Sequence, residues 1–177
     1  MLTIRRETAE DVRAIWAVVH DAFRRPSEAD LVDALRRSDA LTLSVVAALD
    51  GRIVGHVAFS PVAIQSTAAA FEALALAPVA VTPDCQRQGI GSALIRWGLD
   101  ECRRMGHGAI IVLGRPDYYG RFGFTPASAY GVQCPFAVPA EAFLLVELFP
   151  GAMRRRGGTV RYSPEFELVS CETMKRH

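Results

Sequence analysis

The chain has 177 residues, of which 50% are hydrophobic and 22% charged. That is ordinary globular composition, in a chain long enough to bury a core without disulfides or metals. It excludes a disordered tail, a collagen-like repeat and a disulfide scaffold, and residues 1–177 read as one domain.

The charge is balanced, 20 Lys+Arg against 19 Asp+Glu, for a net +1. A nucleic-acid binder would carry a basic surplus, so none is expected as a partner. Every basic residue except Lys175 is arginine. This reads either as oxyanion recognition or as the composition bias of a genome. Cys85, Cys102, Cys134 and Cys171 form no C-x-x-C pair, and His20, His56, His107 and His177 lack ligand spacing. No metal is expected. The N-terminus carries Arg5, Arg6, Glu7, Glu10, Asp11 and Arg13 where a signal peptide would be apolar. The longest apolar run, Ala73–Val81, is too short to span a bilayer. The expectation is a cytoplasmic protein with no membrane partner.

Leu2–Arg5 alternates like a short strand, and Thr8 with Asp11 resembles a helix-capping pair. Val12, Ile15, Trp16, Val19 and Phe23 then recur at helical spacing. A second helix is expected after Pro26, with Ser27 as N-cap and Ala29–Arg37 as its body. Leu41–Leu49 and Arg52–Ile64 are β-rich, and Asp50-Gly51 between them signals a hairpin. A third strand, Leu74–Val81, precedes a helix over Gly89–Met105. The apolar face of that helix is Leu94, Ile95, Gly98, Leu99, Cys102 and Met105. Ala109–Leu113 is a buried-type strand and Asp117–Phe122 a short helix. Two strands close the chain near Phe143–Phe149 and Thr159–Tyr162. This order implies an α/β fold. Its central twisted sheet is mixed and mostly antiparallel, with one parallel β-α-β unit over residues 74–113 and flanking helices.

The most informative segment is Val79-Ala-Val-Thr-Pro-Asp-Cys-Gln-Arg-Gln-Gly-Ile-Gly-Ser92. A strand ends, a turn follows and a long helix begins, which offers free N–H groups to an oxyanion or phosphate. Gly89 and Gly91 allow close approach to the main chain. Gln88 and Ser92 can add donors, and Arg87 adds a full charge to the helix dipole. A P-loop would need a lysine that is absent here. A Rossmann turn would need glycine at Leu94 and an acidic residue near 109–113. The pyrophosphate loop of coenzyme A fits the spacing.

Gln86-Arg-Gln-Gly-Ile-Gly91 resembles the [Q/R]-x-x-G-x-[G/A] motif of the GNAT family of acyl-CoA-dependent N-acetyltransferases. Tyr119-Gly-Arg-Phe-Gly-Phe124 is similar to the family's Y-x-R-F-G-F segment and follows in the right order. The resemblance runs from about Thr3 to Phe149. Val54–Ser60, Leu76–Val81, Val146–Gly151 and Gly158–Tyr162 further resemble the bacterial YhbS-like branch. The family's Asn-x-x-Ala element has no counterpart in Leu113-Gly-Arg-Pro-Asp117, which removes one cofactor contact.

The resemblance implies acetyl-CoA as acyl donor, with an amine-bearing small molecule or peptide as acceptor. It assigns Val79, Ala80 and Val81 to the pantetheine arm and the Val81 amide to the thioester carbonyl. It assigns Arg87, Gln88, Gly89, Ile90, Gly91 and Ser92 to the pyrophosphate, and Tyr119 as general acid. A backbone donor at a developing oxyanion and a proton donor near sulfur are what aminolysis of a thioester needs. Pro78, in mid-strand, fits either a simple edge or the bulge by which this strand leaves its parallel neighbour in the family.

Other residues carry two readings each. Glu72 shares a strand face with Leu74 and is either the general base or a solvated strand-end acid. Glu28 and Asp30 either flank the acceptor or compensate a helix dipole. His56 and Ser60, on one face, are proton relays or core polar groups. Tyr118 competes with Tyr119. Asp117 is expected to cap the short helix, and Cys85 to pack. Arg154–Arg156 form a solvated turn or touch an acidic ligand. The alternative to an enzyme is a non-catalytic acyl-CoA-binding or regulatory module, and a more distant one is a nucleotide-binding enzyme. The closing strands could pair across a homodimer.

Overall fold

The computed structural model describes residues 1–169, so Cys171, Lys175 and His177 lie outside the described residues. The strands are β1 (Leu2–Arg6), β2 (Leu43–Leu49), β3 (Arg52–Gln65), β4 (Ala70–Val81), β5 (Ala109–Leu113), β6 (Thr125–Pro126), β7 (Val132–Gln133), β8 (Phe143–Glu147) and β9 (Gly158–Arg161). The helices are α1 (Val12–Phe23), α2 (Ser27–Arg37), α3 (Ile90–Arg104) and the single turn α4 (Pro116–Tyr119). The chain divides into two compact units. The first holds Met1–Ser60 and Ala77–Glu101, and the second holds Pro61–Leu76 and the chain from Cys102 on. Strands β3 and β4 each run through both.

In the first unit β1 and β2 pair antiparallel from Leu2↔Leu49 to Arg6↔Val45. Strand β2 continues against β3 from Leu43↔Phe59 to Leu49↔Arg52, with a register shift between Ala47 and Ala48. Asp50 (φ 49°) and Gly51 (φ 85°) are both left-handed, the geometry of the tight hairpin that this dipeptide favours. Alternate residues of β3 serve opposite faces. Ala58, with Val46 of β2, packs against Ile15, Val18 and Val19 of α1 and Ala29 and Val32 of α2. Gly55 and Phe59 face α3 instead, where a methyl on Gly98 would sit 2.4 Å from the Phe59 ring.

Local chemistry sets the helix ends. The Thr8 N–H donates to Asp11 Oδ2 at 2.8 Å, so the expected capping pair forms, and Arg5 reinforces it at 2.6 Å. Ser27 does not cap α2. Pro26 stands in the cap position, and the Ser27 hydroxyl donates to Glu28 Oε2 at 2.8 Å. The proline's fixed φ already suits a helix start, so the turn begins one residue earlier than the serine suggested. Leu94, Ile95, Leu99 and Cys102 of α3 are buried as expected, but Met105 is 39% exposed. The helix ends at Arg104, and left-handed Gly106 (φ 87°) carries the chain away.

In the second unit β4 and β5 are parallel through Leu74↔Ile110 and Ala75↔Ile111. With α3 between them, they make the expected β-α-β crossover. Strand β8 lies antiparallel to β5, from Ala109↔Glu147 to Leu113↔Phe143, and β6 pairs with β8. Strand β9 pairs antiparallel with β3 (Ala63↔Arg161) and parallel with β7 (Val132↔Gly158). The two-residue strands β6 and β7 are too short to show periodicity and were not expected. The result is the mixed, mostly antiparallel sheet anticipated above.

Gly98 generates a prediction. Gly98→Ala gains about 1 kcal/mol of helix propensity. It loses about 1–3 kcal/mol by overpacking against the buried Phe59 ring. Denaturant titration should show net destabilisation, and a midpoint at or above wild type would mean that the ring yields.

Candidate functional site

Strand β4 continues to Val81, six residues beyond Ala75, where its recorded pairing with β5 ends. Pro78 lies within this extension after a cis peptide bond to Ala77. The Thr82 N–H donates to Val54 O at 2.9 Å, and Ala80 O lies beside Gly55. Residues of an antiparallel strand alternate between bonding their neighbour and facing away. Val79 and Val81 therefore turn their N–H and C=O groups to the edge of β4 opposite β3. The Val81 carbonyl is met there by Gln86, whose Nε2 donates at 3.0 Å.

The turn that follows is held from inside. Cys85 N–H donates to Thr82 O at 2.9 Å, and Gln88 Nε2 to Asp84 O at 3.2 Å. Arg52, at the start of β3, grips the turn through Asp84 Oδ2 at 2.6 Å and Cys85 Sγ at 3.4 Å. The guanidinium holds the Asp84 carboxyl down at about 2. Cys85 is buried, as expected of a packing residue. One N–H of the Gln88 amide is thus engaged within the turn.

From Gln86 to Ser92, among the described residues, no backbone N–H donates to a protein acceptor. The first bonded donor of the helix is Ala93, to Gly89 O at 3.0 Å. Arg87 (φ 61°) and Gly89 (φ 83°) are left-handed, which curls successive N–H groups toward one side in the manner of an anion-binding nest. The positive end of the α3 dipole adds to the same field. Gln86, Arg87, Gln88 and Gly89 are exposed, while Gly91 and Ser92 are half-buried. A row of unbonded donors at a helix start can bind an oxyanion through the main chain alone.

The second unit carries the tyrosines and Glu72. Tyr119 is 1% exposed, with its ring 5.0 Å from Tyr118, 5.7 Å from Phe124 and 6.4 Å from Phe122. Burial, with a smaller contribution from Tyr118, raises its pKa well above that of a free phenol. Tyr118 is half-buried, and the Arg121 guanidinium stacks 4.5 Å from its ring centre. Asp117 does not cap α4. Arg115 occupies that position, and Asp117 lies in the first turn, 3.7 Å from the Arg115 side chain. Glu72 is 68% exposed and sits 3.5 Å from His107 Nδ1.

The other sequence candidates divide. Glu28 is buried, gripped by Arg25 (2.7 Å) and Ser27. Asp30 accepts from the Trp16 indole at 3.1 Å. His56 is buried with Nε2 2.8 Å from Ser44 Oγ, while its Nδ1 and the Ser60 hydroxyl have no partner. Ser44 also donates to Glu7, which Arg36 holds through two contacts of 2.9 Å. This Arg36–Glu7–Ser44–His56 chain leaves no mark in the sequence. Its bonded pairs are 12 to 37 positions apart, and no local motif joins them. Burial pulls the His56 pKa down to about 4, with Glu7 opposing and Arg36 assisting. For Glu7, burial pushes upward, but the bonds from Arg36 and Ser44 bring it below the usual range. Among the described residues no group of three or more His, Cys, Asp or Glu could hold a metal. No helix there is long and apolar enough to cross a membrane.

Residues 3–127 match the family model described as an acetyltransferase (GNAT) domain. The chain is 35% identical over 166 residues to the uncharacterized N-acetyltransferase YhbS of Escherichia coli, covering 93% of this chain and 98% of that one. The crystal structure of E. coli YhbS in complex with CoA superposes with a TM-score of 0.88 at 34% identity, covering 94% and 92% of the two chains. A GNAT family acetyltransferase from Brucella melitensis in complex with acetyl-CoA gives 0.78 at 37% identity, covering 94% and 98%.

The buried histidine makes stability pH-dependent. His56 titrates near 4 when folded and near 6.5 when unfolded, so the unfolded chain takes up the proton first. Its contribution is complete above about pH 6.5 and is lost as pH falls toward 4, amounting to about 2 kcal/mol at pH 5. Glu7 acts in the same direction. Denaturant titrations at pH 7, 6 and 5 should show this decline, and His56→Gln should flatten it. Parallel wild-type and variant curves would contradict the assignment.

Proposed function

The chain belongs to the GNAT acetyltransferase family, and we propose that it moves the acetyl group of acetyl-CoA onto an amine by direct attack in a ternary complex. The acceptor is an amine-bearing small molecule or peptide. The observation that carries this reading is the unbroken row of unbonded N–H groups from Gln86 to Ser92 at the start of α3. Relatives with CoA and acetyl-CoA bound support the choice of anion. The family model spans residues 3–127 and so draws on both compact units, which supports one catalytic domain.

In this reading the amides of Arg87 through Ser92 bind the pyrophosphate, and Val79, Ala80 and Val81 align the pantetheine arm. The Val81 N–H takes the thioester oxygen as it becomes an oxyanion, worth about 2.7–4 kcal/mol for one placed donor. Tyr119 protonates the departing thiolate. Its raised pKa keeps the phenol protonated across the neutral range. Glu72, beside His107, receives the amine proton. Collapse of the intermediate forms the amide bond and breaks the C–S bond. No covalent enzyme intermediate is involved, and Cys85 stays a packing group.

The near-complete burial of Tyr119 favours a second reading, in which the aromatic cluster is structural and the chain binds acyl-CoA without transferring it. Two measurements separate these. A thermal-shift titration with acetyl-CoA, CoA, NAD and ATP should respond to the CoA compounds alone. At a hundredfold excess over Kd the gain is about 2.7 kcal/mol, or roughly 5–10 °C in Tm. A response only to NAD or ATP would reject the family's cofactor for this chain. In an amine panel scored by thiol release, Tyr119→Phe should lower turnover about 10²–10⁴-fold with acetyl-CoA binding unchanged. Binding without turnover in either protein would favour the second reading.

A further inference from the structure

The unpaired edge of β4 raises a question that the cofactor reading leaves open, namely what occupies the Val81 carbonyl beside the Val81 N–H. Val81 places an N–H and a C=O on the same edge, because the residue faces away from β3. The donor would attract a thioester oxygen and the acceptor beside it would repel one.

Two contacts hold the peptide that carries this acceptor. The peptide joining Val81 to Thr82 is held on one side by the Thr82 N–H bond to Val54 O at 2.9 Å. It is held on the other by Gln86 Nε2, which donates to Val81 O at 3.0 Å across five residues. Both ends of one peptide unit are thus bonded, one to the strand and one to the turn. Gln86 itself is exposed and runs extended (φ −67°, ψ 158°) at the entry to the unbonded amides. Its side chain therefore links the strand end to the donor row.

We propose that Gln86 is a positioning residue for the acyl donor. Its carboxamide occupies the Val81 carbonyl, so that this edge offers the thioester oxygen the Val81 N–H without a free acceptor beside it. Gln86 touches neither the transferred acetyl group nor sulfur, and acts through Val81. The assignment rests on the acetyl-CoA reading above.

The test compares wild type with Gln86→Met, which keeps the length but loses the donor, and Gln86→Arg, which restores one. Acetyl-CoA labelled with carbon-13 at the carbonyl is bound to each, and its infrared carbonyl stretch is recorded. Acetyl-CoA and CoA affinities are measured by calorimetry, and folding of each variant is checked by Tm. In wild type the stretch should lie below its solution frequency. Gln86→Met should lose most of that displacement and about fivefold in acetyl-CoA affinity, the value of one ordinary hydrogen bond. CoA, which has no acetyl carbonyl, should change by less than about twofold. Gln86→Arg should recover the displacement. A displacement unchanged in Gln86→Met, or equal losses for both ligands, overturns the assignment and leaves the cofactor reading intact. A wild-type band at its solution frequency overturns this role together with that of Val81. A wild type that binds neither ligand overturns the cofactor reading itself and this assignment with it. Should Gln86→Met fail to fold, Gln86→Glu opposes a carboxylate to the Val81 carbonyl and must show the same selective loss for the proposal to stand.

Discussion

A backbone N–H removed from water must be bonded, and the first turn of a helix cannot supply the partners itself. At the start of α3, from Gln86 to Ser92, no backbone N–H finds a partner within the protein among the described residues. Around that stretch almost every neighbouring group is tied down. Val54 receives Thr82, Thr82 receives Cys85, Asp84 receives Gln88, and Arg52 clasps the whole turn. In the proposed reading, this braced frame preorganises the unbonded row of donors for the pyrophosphate. The donors need not reorganise when an anion arrives.

The arginine-rich composition had two readings, and the structure supplies a third for several residues. Arg5, Arg25, Arg36 and Arg52 are each engaged with a carboxylate of the same chain: Asp11, Glu28, Glu7 and Asp84. Arg25 and Arg36 reach both oxygens of their partners, the forked geometry that lysine cannot match. These guanidiniums act as internal struts. In the proposed reading the pyrophosphate is held mainly by main-chain dipoles, with Arg87 as the full charge beside it, which suits a chain whose net charge is only +1.

What the sequence revealed followed from whether the cause was local. Asp50-Gly51 announced its hairpin because two consecutive left-handed residues are a demand that few dipeptides meet. The loop before α3 was legible because its glycines, spacing and strand–helix context occur together within a dozen residues. Ser27 misled because Pro26 beside it starts the helix equally well, and the two signals cannot be ranked from composition. Asp117 misled in the same way, one residue inside a helix that Pro116 begins. The chain linking Glu7 to His56 was invisible, since three strand and helix segments must assemble before its members meet. The near-complete burial of Tyr119 was equally hidden, because a tyrosine in a motif carries no mark of its surroundings.

Two glycines on opposite sides of one packing layer have a consequence for how the molecule could change. Gly55 of β3 and Gly98 of α3 bring helix and strand together at two levels. At the first a methyl would press on Leu94, Ile90 and the carbonyl of Ala80, and at the second on Phe59. Ile90 opens the helix, and Ala80 is the residue before Val81. Gly98 lies about 12 Å along the helix from Ile90. The helix is therefore seated at two points against the same strand, like a beam on two bearings, and its starting turn has a fixed height above the end of β4. The offset between the row of amides and the strand end is set by atoms these residues do not possess. Enlarging either one would move the mouth of the helix without altering a single group that faces a ligand.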